Sequence, residues 1–404
     1  MSTKNVYIVD GVRTAVGNFG GSLSTIRPDD MAAIVIKELV KRHPQLDLTK
    51  IEDVILGCAN QAGEDNRNVA RMSGLLAGLP VEVAGETVNR LCSSGMASVV
   101  NAARAIKDNA GDLYIAGGVE NMTRGPWVLS KASQPFGRDS QLFDTSFGWR
   151  FINPQLKEMY GTEGMGETAE NLVDKYGISR EDQDKFAAWS HEKAIKAQTA
   201  GVLAEEIVPI EIPRRKQEPL IFNQDEFIKP NTTVETLSKL RPAFRKENGS
   251  VTAGNSSGLN DGAAALLVAS EEAVNTYNLK PLARIVSSAV AGVEPRIMGI
   301  GPVYASQKAL ERAGLTLADM DVIELNEAFA AQALACTREM GLQDNDPRIN
   351  PNGGAIAIGH PLGMSGARIL LAAARELKRT NKRYALVTMC IGVGQGYATI
   401  IERS

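Results

Sequence analysis

The chain has 404 residues, 44% of them hydrophobic and 23% charged, with a formal net charge of −3. It is too long for one ordinary core, and its charge gives no general attraction to nucleic acid or to an anionic membrane. The four cysteines, at 58, 92, 336 and 390, form no Cys-x-x-Cys pair, so neither a disulfide framework nor a zinc site is expected, and a reducing, cytoplasmic setting is. The opening Met-Ser-Thr-Lys-Asn lacks the apolar core of a signal peptide, and no apolar run reaches membrane-spanning length.

Residues 6–9 read as a short strand, and Asp10-Gly11-Val12-Arg13-Thr14 turns out of it. Asp29 or Asp30 is placed to cap a helix over 31–41. A strand over 51–56 ends at Gly57, and a helix follows over 68–77. Residues 85–88 read as a strand entry. Residues 96–106 are rich in Ala and Val with Arg104 and Lys107 on the other face, and read as a helix. A strand over 112–116 is closed by Gly117-Gly118. Strand alternating with helix implies a mostly parallel sheet covered on both faces.

The composition shifts after Asn121. Residues 122–165 scatter Trp127, Phe136, Phe147 and Trp149 among Gly, Ser and Pro, a long loop of the kind that is usually functional or interfacial. Helices are expected over 168–175 and 180–200 and a strand over 207–212, with Arg214-Arg215-Lys216 a solvated turn. Alternation then resumes. Strands are expected over 263–269, 285–293, 322–325, 384–389 and 397–401, and helices over 306–313, 328–340 and 364–378, with Ser270 capping another. One unit occurs twice. A helix leads to Ile51-Glu52-Asp53-Val54-Ile55-Leu56, and a second helix to Met320-Asp321-Val322-Ile323-Glu324-Leu325. Two similar halves, 1–121 plus 253–279 and 280–404, with an insertion at 122–252, account for this.

Cys92 lies between a strand and a helix start, beside Ser93-Ser94-Gly95. Unpaired N–H groups at a helix N-terminus favour a thiolate and lower a thiol's pKa. Of the three histidines, His43 follows a helix beside Pro44, and His191 falls on the polar face of an amphipathic helix. Both read as structural or surface groups. His360 differs, because Gly359, Pro361 and Gly363 hold it in a loop that leads into a helix. Cys390 ends an apolar strand and opens Ile391-Gly392-Val393-Gly394-Gln395-Gly396. A dinucleotide-binding glycine loop is disfavoured there, because a strand and not a helix follows. Asn326 also ends a strand, as a candidate helix cap. All four positions lie where ligands bind in α/β sheets, and they lack metal-ligand spacing.

These residues carry a resemblance to the thiolases over essentially the whole chain. The motifs are Asn89-Arg90-Leu91-Cys92-Ser93-Ser94-Gly95, Gly117-Gly118-Val119-Glu120-Asn121-Met122, Asn255-Ser256-Ser257-Gly258, Asn326-Glu327-Ala328-Phe329, Gly359-His360-Pro361-Leu362-Gly363 and Cys390-Ile391-Gly392-Val393-Gly394. Residues 57–68 and 148–154 look most like the 3-oxoadipyl-CoA thiolases. The resemblance implies an α/β thiolase fold of two repeated five-layer halves with an inserted loop domain. It implies Cys92 as the acylated nucleophile, and His360 as its activator and, with a water held by Asn326, an oxyanion hole. Cys390 would be the acid/base at the α-carbon, and the N–H groups of Cys92 and Gly392 a second hole. Ser257 and Met165 would line the pantetheine tunnel and Lys229 would lie near the CoA nucleotide. Coenzyme A would be a co-substrate with no permanent cofactor, acyl-CoA esters the partners, and the assembly a homotetramer or homodimer. The expected reaction is CoA-dependent cleavage of 3-oxoadipyl-CoA, the alternatives being an acetoacetyl-CoA or fatty 3-oxoacyl-CoA enzyme, or a non-catalytic acyl-binding protein. Thiolases specialised for acetoacetyl-CoA often carry His where this chain has Gly164, which implies a roomier pocket here. Arg138 and Arg150 would then be placed to meet a carboxylate at the end of a longer chain.

Overall fold

The computed structural model describes residues 4–404. The early half supplies five strands to the main run of the sheet, and a two-residue strand, Gly17–Asn18, pairs with the last of them. In chain order the five are Val6–Thr14, Asp53–Gly57, Ala84–Val88, Leu113–Asn121 and Asn260–Ser270. In space they run third, second, fourth, fifth, first. The late half supplies Ala283–Gly292, Val322–Leu325, Tyr384–Ile391 and Gln395–Arg403. With Ile349, which makes a parallel bridge to Ile323 in the place of a third strand, the late half repeats the same order. The two first strands join the halves through Tyr7–Arg284 and Ile8–Ala283. The duplicated sequence unit is thus a duplicated structural unit.

The sheet is mixed and not mostly parallel, because the fifth strand of each half runs antiparallel to both neighbours. Two expected turns are strand. The first strand continues to Thr14, through an irregularity between Ile8 and Asp10, because Arg13 is buried at its end and paired with Asp225 and Glu206. The fourth runs through Gly117-Gly118 to Asn121, where the missing side chains let neighbouring backbone come close. The first helix, Pro28–Lys41, is capped by neither aspartate. Asp29 and Asp30 lie in its first turn, where they face the positive end of the dipole.

Helices Ser94–Lys107 and Leu362–Thr380 pack on each other between the half-sheets, and the second touches strands of both. Pro28–Lys41 covers the outside of the early half, and Gly301–Ala313 the outside of the late one. The result is helix, sheet, helix, sheet, helix. The middle layer is held at a close crossing. A side chain at Gly366 would strike the backbone N of Met96, and one at Gly118 the carbonyl of Gly363. Within 122–165 the loop carries a hairpin of Trp127–Leu129 with Leu142–Asp144 and a short helix Pro154–Tyr160. Trp127, Phe136 and Phe147 are exposed and form no core. Among the described residues no helix is long and apolar enough to cross a membrane.

Backbone cannot retreat from an added methyl as a flexible side chain can. Gly118→Ala and Gly366→Ala should each lower unfolding free energy by about 3 kcal/mol, the upper end of the overpacking range. Urea melts test this, and a loss below about 1 kcal/mol for both would mean that the crossing adapts.

Candidate active site

Cys92 follows the Ala84–Val88 strand and stands two residues before the Ser94–Lys107 helix. Leu91 beside it is held at φ 47°. Its N–H is bonded by the Asn89 carboxamide, whose Nδ2 donates to the Ala59 carbonyl. The chain is therefore gripped on the side from which the cysteine projects. The N–H groups of Gly392 and of Cys92 itself lie close enough to the Cys92 sulfur to favour its charged form. The expectation of a lowered thiol pKa is overturned. Burial pushes the Cys92 thiol up, and the two N–H groups only partly offset it. Cys92 is partly exposed as a residue, yet packing around the sulfur decides the direction.

Cys390 is the next-to-last residue of the Tyr384–Ile391 strand and is buried. Burial pushes its thiol well up, and its neighbour Cys92 adds to the effect. The two thiols thus face one site. The turn after Cys390 joins two antiparallel strands, which excludes the phosphate-binding loop. Val393 in this turn takes φ 64°, rare for a β-branched residue.

His360 is buried at the start of the Leu362–Thr380 helix. Its backbone N–H donates to Asn260 Oδ1 at 2.9 Å. Its ring tautomer follows from hydrogen-bond counting. Ser365 has one hydroxyl proton, which goes to the Pro361 carbonyl at 2.8 Å. The Ser365 oxygen, 2.7 Å from His360 Nδ1, therefore accepts a proton from it. Nε2 is left bare, 3.4 Å from Asn326 Nδ2. Burial lowers the imidazole pKa to about 3, and the charge of Arg368 acts in the same sense. The ring is neutral at any ordinary pH and offers a lone pair to the site. Asn326 is buried and caps no helix, since the next helix begins at Ala330 after Phe329. Its Oδ1 has no partner within the protein.

The remaining expected residues sit around this centre. Met165 opens a helix, with its sulfur 3.6 Å from where a Cβ on Gly392 would lie. Ser257 donates its N–H to the Ala328 carbonyl, two residues from Asn326. Lys229 is farther out and exposed. Its ammonium lies 4.7 Å from the Phe227 ring centroid, and that ring abuts Gly258. His191 is not on a solvated face. It is buried and accepts the Lys229 N–H at Nδ1, and burial lowers its pKa to about 4.

Sequence reasoning missed Ser365, Asn260 and Glu120. Ser365 had a usable signal, five residues after His360 in the first turn of a helix. Glu120 is buried and accepts from the N–H groups of Ala59, Asn60 and Gly363, so it ties the loop beside Cys92 to the helix behind His360. With Cys58 and Asp65 it brings three ligand-type atoms within 4.8 Å. Every carboxylate oxygen there already accepts a backbone N–H, so the cluster is satisfied by the fold.

The model of the thiolase N-terminal domain matches residues 6–272, and that of the thiolase C-terminal domain matches 279–403. The chain is 59% identical to a 3-oxoadipyl-CoA/3-oxo-5,6-dehydrosuberyl-CoA thiolase of Escherichia coli, over 99% of this chain and 100% of that one. It is 57% identical, with the same coverage, to a beta-ketoadipyl-CoA thiolase of Acinetobacter baylyi. The crystal structure of the Bacillus anthracis acetyl-CoA acetyltransferase superposes with a TM-score of 0.92, at 42% identity, covering 100% of this chain and 99% of that one. The chain belongs to the thiolase family and is an acyltransferase that uses coenzyme A as co-substrate.

Cys58, Cys336 and Cys390 are buried and Cys92 is not. Limiting iodoacetamide at neutral pH should therefore modify Cys92 first, as read by peptide mass mapping. Earlier labelling of Cys58 or Cys336 would remove Cys92 as the accessible thiol.

Proposed function

We propose that the chain cleaves 3-oxoadipyl-CoA with coenzyme A to give succinyl-CoA and acetyl-CoA, through an acyl group carried on Cys92. The observation that carries this is the meeting of two thiols and two backbone N–H donors, with the bare imidazole nitrogen of His360 at the start of the helix that crosses the Cys92 helix. His360 Nε2 takes the Cys92 proton, and the thiolate attacks the 3-oxo carbon. The oxyanion that forms is met by the N–H groups of Cys92 and Gly392, each such donor being worth about 3 kcal/mol. The bond between C2 and C3 then breaks, and its electron pair leaves as the acetyl-CoA enolate. His360, now protonated, and a water held by the free Asn326 Oδ1 stabilise the enolate oxygen. Cys390, which burial keeps protonated, gives its proton to the enolate carbon. Coenzyme A then gives its thiol proton to the Cys390 thiolate and takes the succinyl group from Cys92, whose sulfur recovers its proton from His360.

Substrate choice rests on the relatives' names and on Arg150. The acids closest to Arg150 in the sequence are bonded to other groups. Asp144 accepts the Ser146 N–H at 2.8 Å, and the Glu163 carboxylate pairs with Arg296. Trp149 is held by the Glu163 carbonyl, two residues from Met165. Arg150 is half-buried and has no ion pair among the described residues, which supports its guanidinium as the group that would bind the terminal carboxylate of a dicarboxylic chain.

The division into 1–121 plus 253–279, 122–252 and 280–404 is supported by the repeated strand order. A homotetramer or homodimer is supported by the exposed Trp127 and Phe136 of the hairpin and by the Ala84–Val88 strand at the sheet's end. Four unpaired cysteines fit a cytoplasmic setting.

Cys92→Ala should trap no acyl group from labelled acetyl-CoA. Cys390→Ala should trap it and yet fail to cleave 3-oxoacyl-CoA. A folded Cys390→Ala that traps nothing would end the separation of roles.

A charge-assisted contact of ~1.5–3 kcal/mol should favour 3-oxoadipyl-CoA over 3-oxohexanoyl-CoA by roughly 10- to 150-fold in kcat/KM. Arg150→Gln should remove most of that ratio, and a ratio unchanged by the substitution would move carboxylate recognition elsewhere.

A further inference from the structure

Glu327 follows Asn326 and is fully buried, yet no step above uses it. Its carboxylate collects three donors from three parts of the chain. Oε2 accepts the Ser190 hydroxyl at 2.6 Å and the Ile356 N–H at 3.2 Å, and Oε1 accepts Asn350 Nδ2 at 2.7 Å. Each donor is itself committed. Ser190 lies on the Arg180–Thr199 helix of the insertion, and its oxygen accepts the Gly354 N–H at 3.1 Å. Asn350 takes the Leu325 N–H at Oδ1 and gives its second Nδ2 proton to the Leu325 carbonyl, both at 2.8 Å. Its side chain thereby extends the pairing that Ile349 begins with Ile323. Ile356 belongs to the single turn Ala355–Ile358, which delivers Gly359 and His360. Gly354 fits only because it has no side chain, since a Cβ there would strike the Glu327 carboxyl.

The carboxylate therefore stands between the two partners of the enolate hole. On one side its own backbone continues from Asn326. On the other, Asn350 and Ile356 tie the segment that leads to His360 directly to the carboxylate, and Gly354 is tied to it through Ser190. We propose that Glu327 is a positioning residue for the carbon–carbon step, holding Asn326 at hydrogen-bond reach of His360 Nε2. This rests on the reading of His360 and Asn326 as the enolate hole.

A glutamine cannot take its place. All three neighbours present hydrogens, and a carboxylate meets them with two acceptor oxygens. The amide introduced by Glu327→Gln would turn an NH2 group onto a donor, and a buried donor would lose its partner. Asn326 would shift, whereas His360 keeps its own bonds to Asn260 and Ser365, and misplacement of about 1 Å costs ~100-fold in a positioned reaction. The hole made by Cys92 and Gly392 shares none of these bonds. Its frame is Asn89, Leu91 and the turn after Cys390.

The test compares two rates in one protein. Exchange of labelled coenzyme A into acetyl-CoA needs acylation of Cys92 but no enolate, whereas thiolysis of 3-oxoadipyl-CoA needs both. Glu327→Gln should lose thiolysis kcat by ~100-fold with KM little changed, and lose exchange far less. Ser190→Ala, which removes one of the three donors and the acceptor of the Gly354 N–H, should shift the same ratio in the same direction by less. Equal losses in both rates would mark a merely structural group and overturn the proposal, as would raised KM at unchanged kcat. If Glu327→Gln does not fold, an unchanged ratio in Ser190→Ala overturns it. Wild-type protein that exchanges no label would fail the proposed reaction itself, and this inference with it.

Discussion

Everything at this site depends on how closely two helices can meet. Ser94–Lys107 and Leu362–Thr380 cross in the middle layer with Gly95 and Met96 against Gly363 and Gly366, backbone on backbone. Cys92 lies just before the first helix and His360 just before the second. Were the crossing opened by side chains, the proposed nucleophile and its base would move apart together with their helices. The glycines therefore set a catalytic distance, and sheet strands on both sides fix it because both faces of the layer are covered. Glu120 adds the bond that a crossing alone cannot give, since it holds the two loops by their N–H groups.

The electrostatics follow from the same burial. In water a thiol beside an imidazole shares its proton according to two ordinary pKa values. Here burial raises both thiols and lowers the imidazole, so the uncharged arrangement is the resting one. Charge separation is then favoured only where donors have been arranged to receive it, at the N–H groups of Cys92 and Gly392 and at the His360–Asn326 pair. A resting thiol is also less open to chance oxidation or alkylation than a resting thiolate. The chain keeps its nucleophile latent until a carbonyl is in place.

Much of this is legible in sequence because both signals are local. Alternating apolar segments mark the strands and helices, and a repeated unit marks the two halves. Cys92, His360, Cys390 and Asn326 stand out because Gly and Pro punctuate their loops. What is not legible is long-range. Asp10 to Thr14 looks like a turn from its Asp and Gly, and only burial of Arg13 against Asp225, over two hundred residues away, makes it strand. His191 looks solvated by its helical phase, because the segment that covers it, around Lys229, is remote in sequence. The direction of the thiol pKa escapes sequence reasoning for a related reason. A helix N-terminus can be read from sequence, whereas the packing that desolvates the sulfur cannot. Glu120 and Glu327 are acids without periodicity, and their meaning lies in which distant N–H groups they collect.

The division of labour within the chain is the last consequence. The groups proposed to touch reacting atoms come from the repeated halves, at strand ends and helix starts held by backbone hydrogen bonds. Groups expected to select the substrate, Met165, Lys229 and Arg150, come from the insertion between the halves. The two are not independent. Ser190 of the insertion donates to Glu327, and Thr145 of the hairpin loop accepts from Asn60 beside the Cys92 frame. Loop sequence can vary in its exposed aromatics and arginines without disturbing the chemistry, provided these few polar tethers stay. Ser190 has one hydroxyl proton and spends it on the carboxylate behind Asn326, so the insertion braces the catalytic frame even where it touches no substrate.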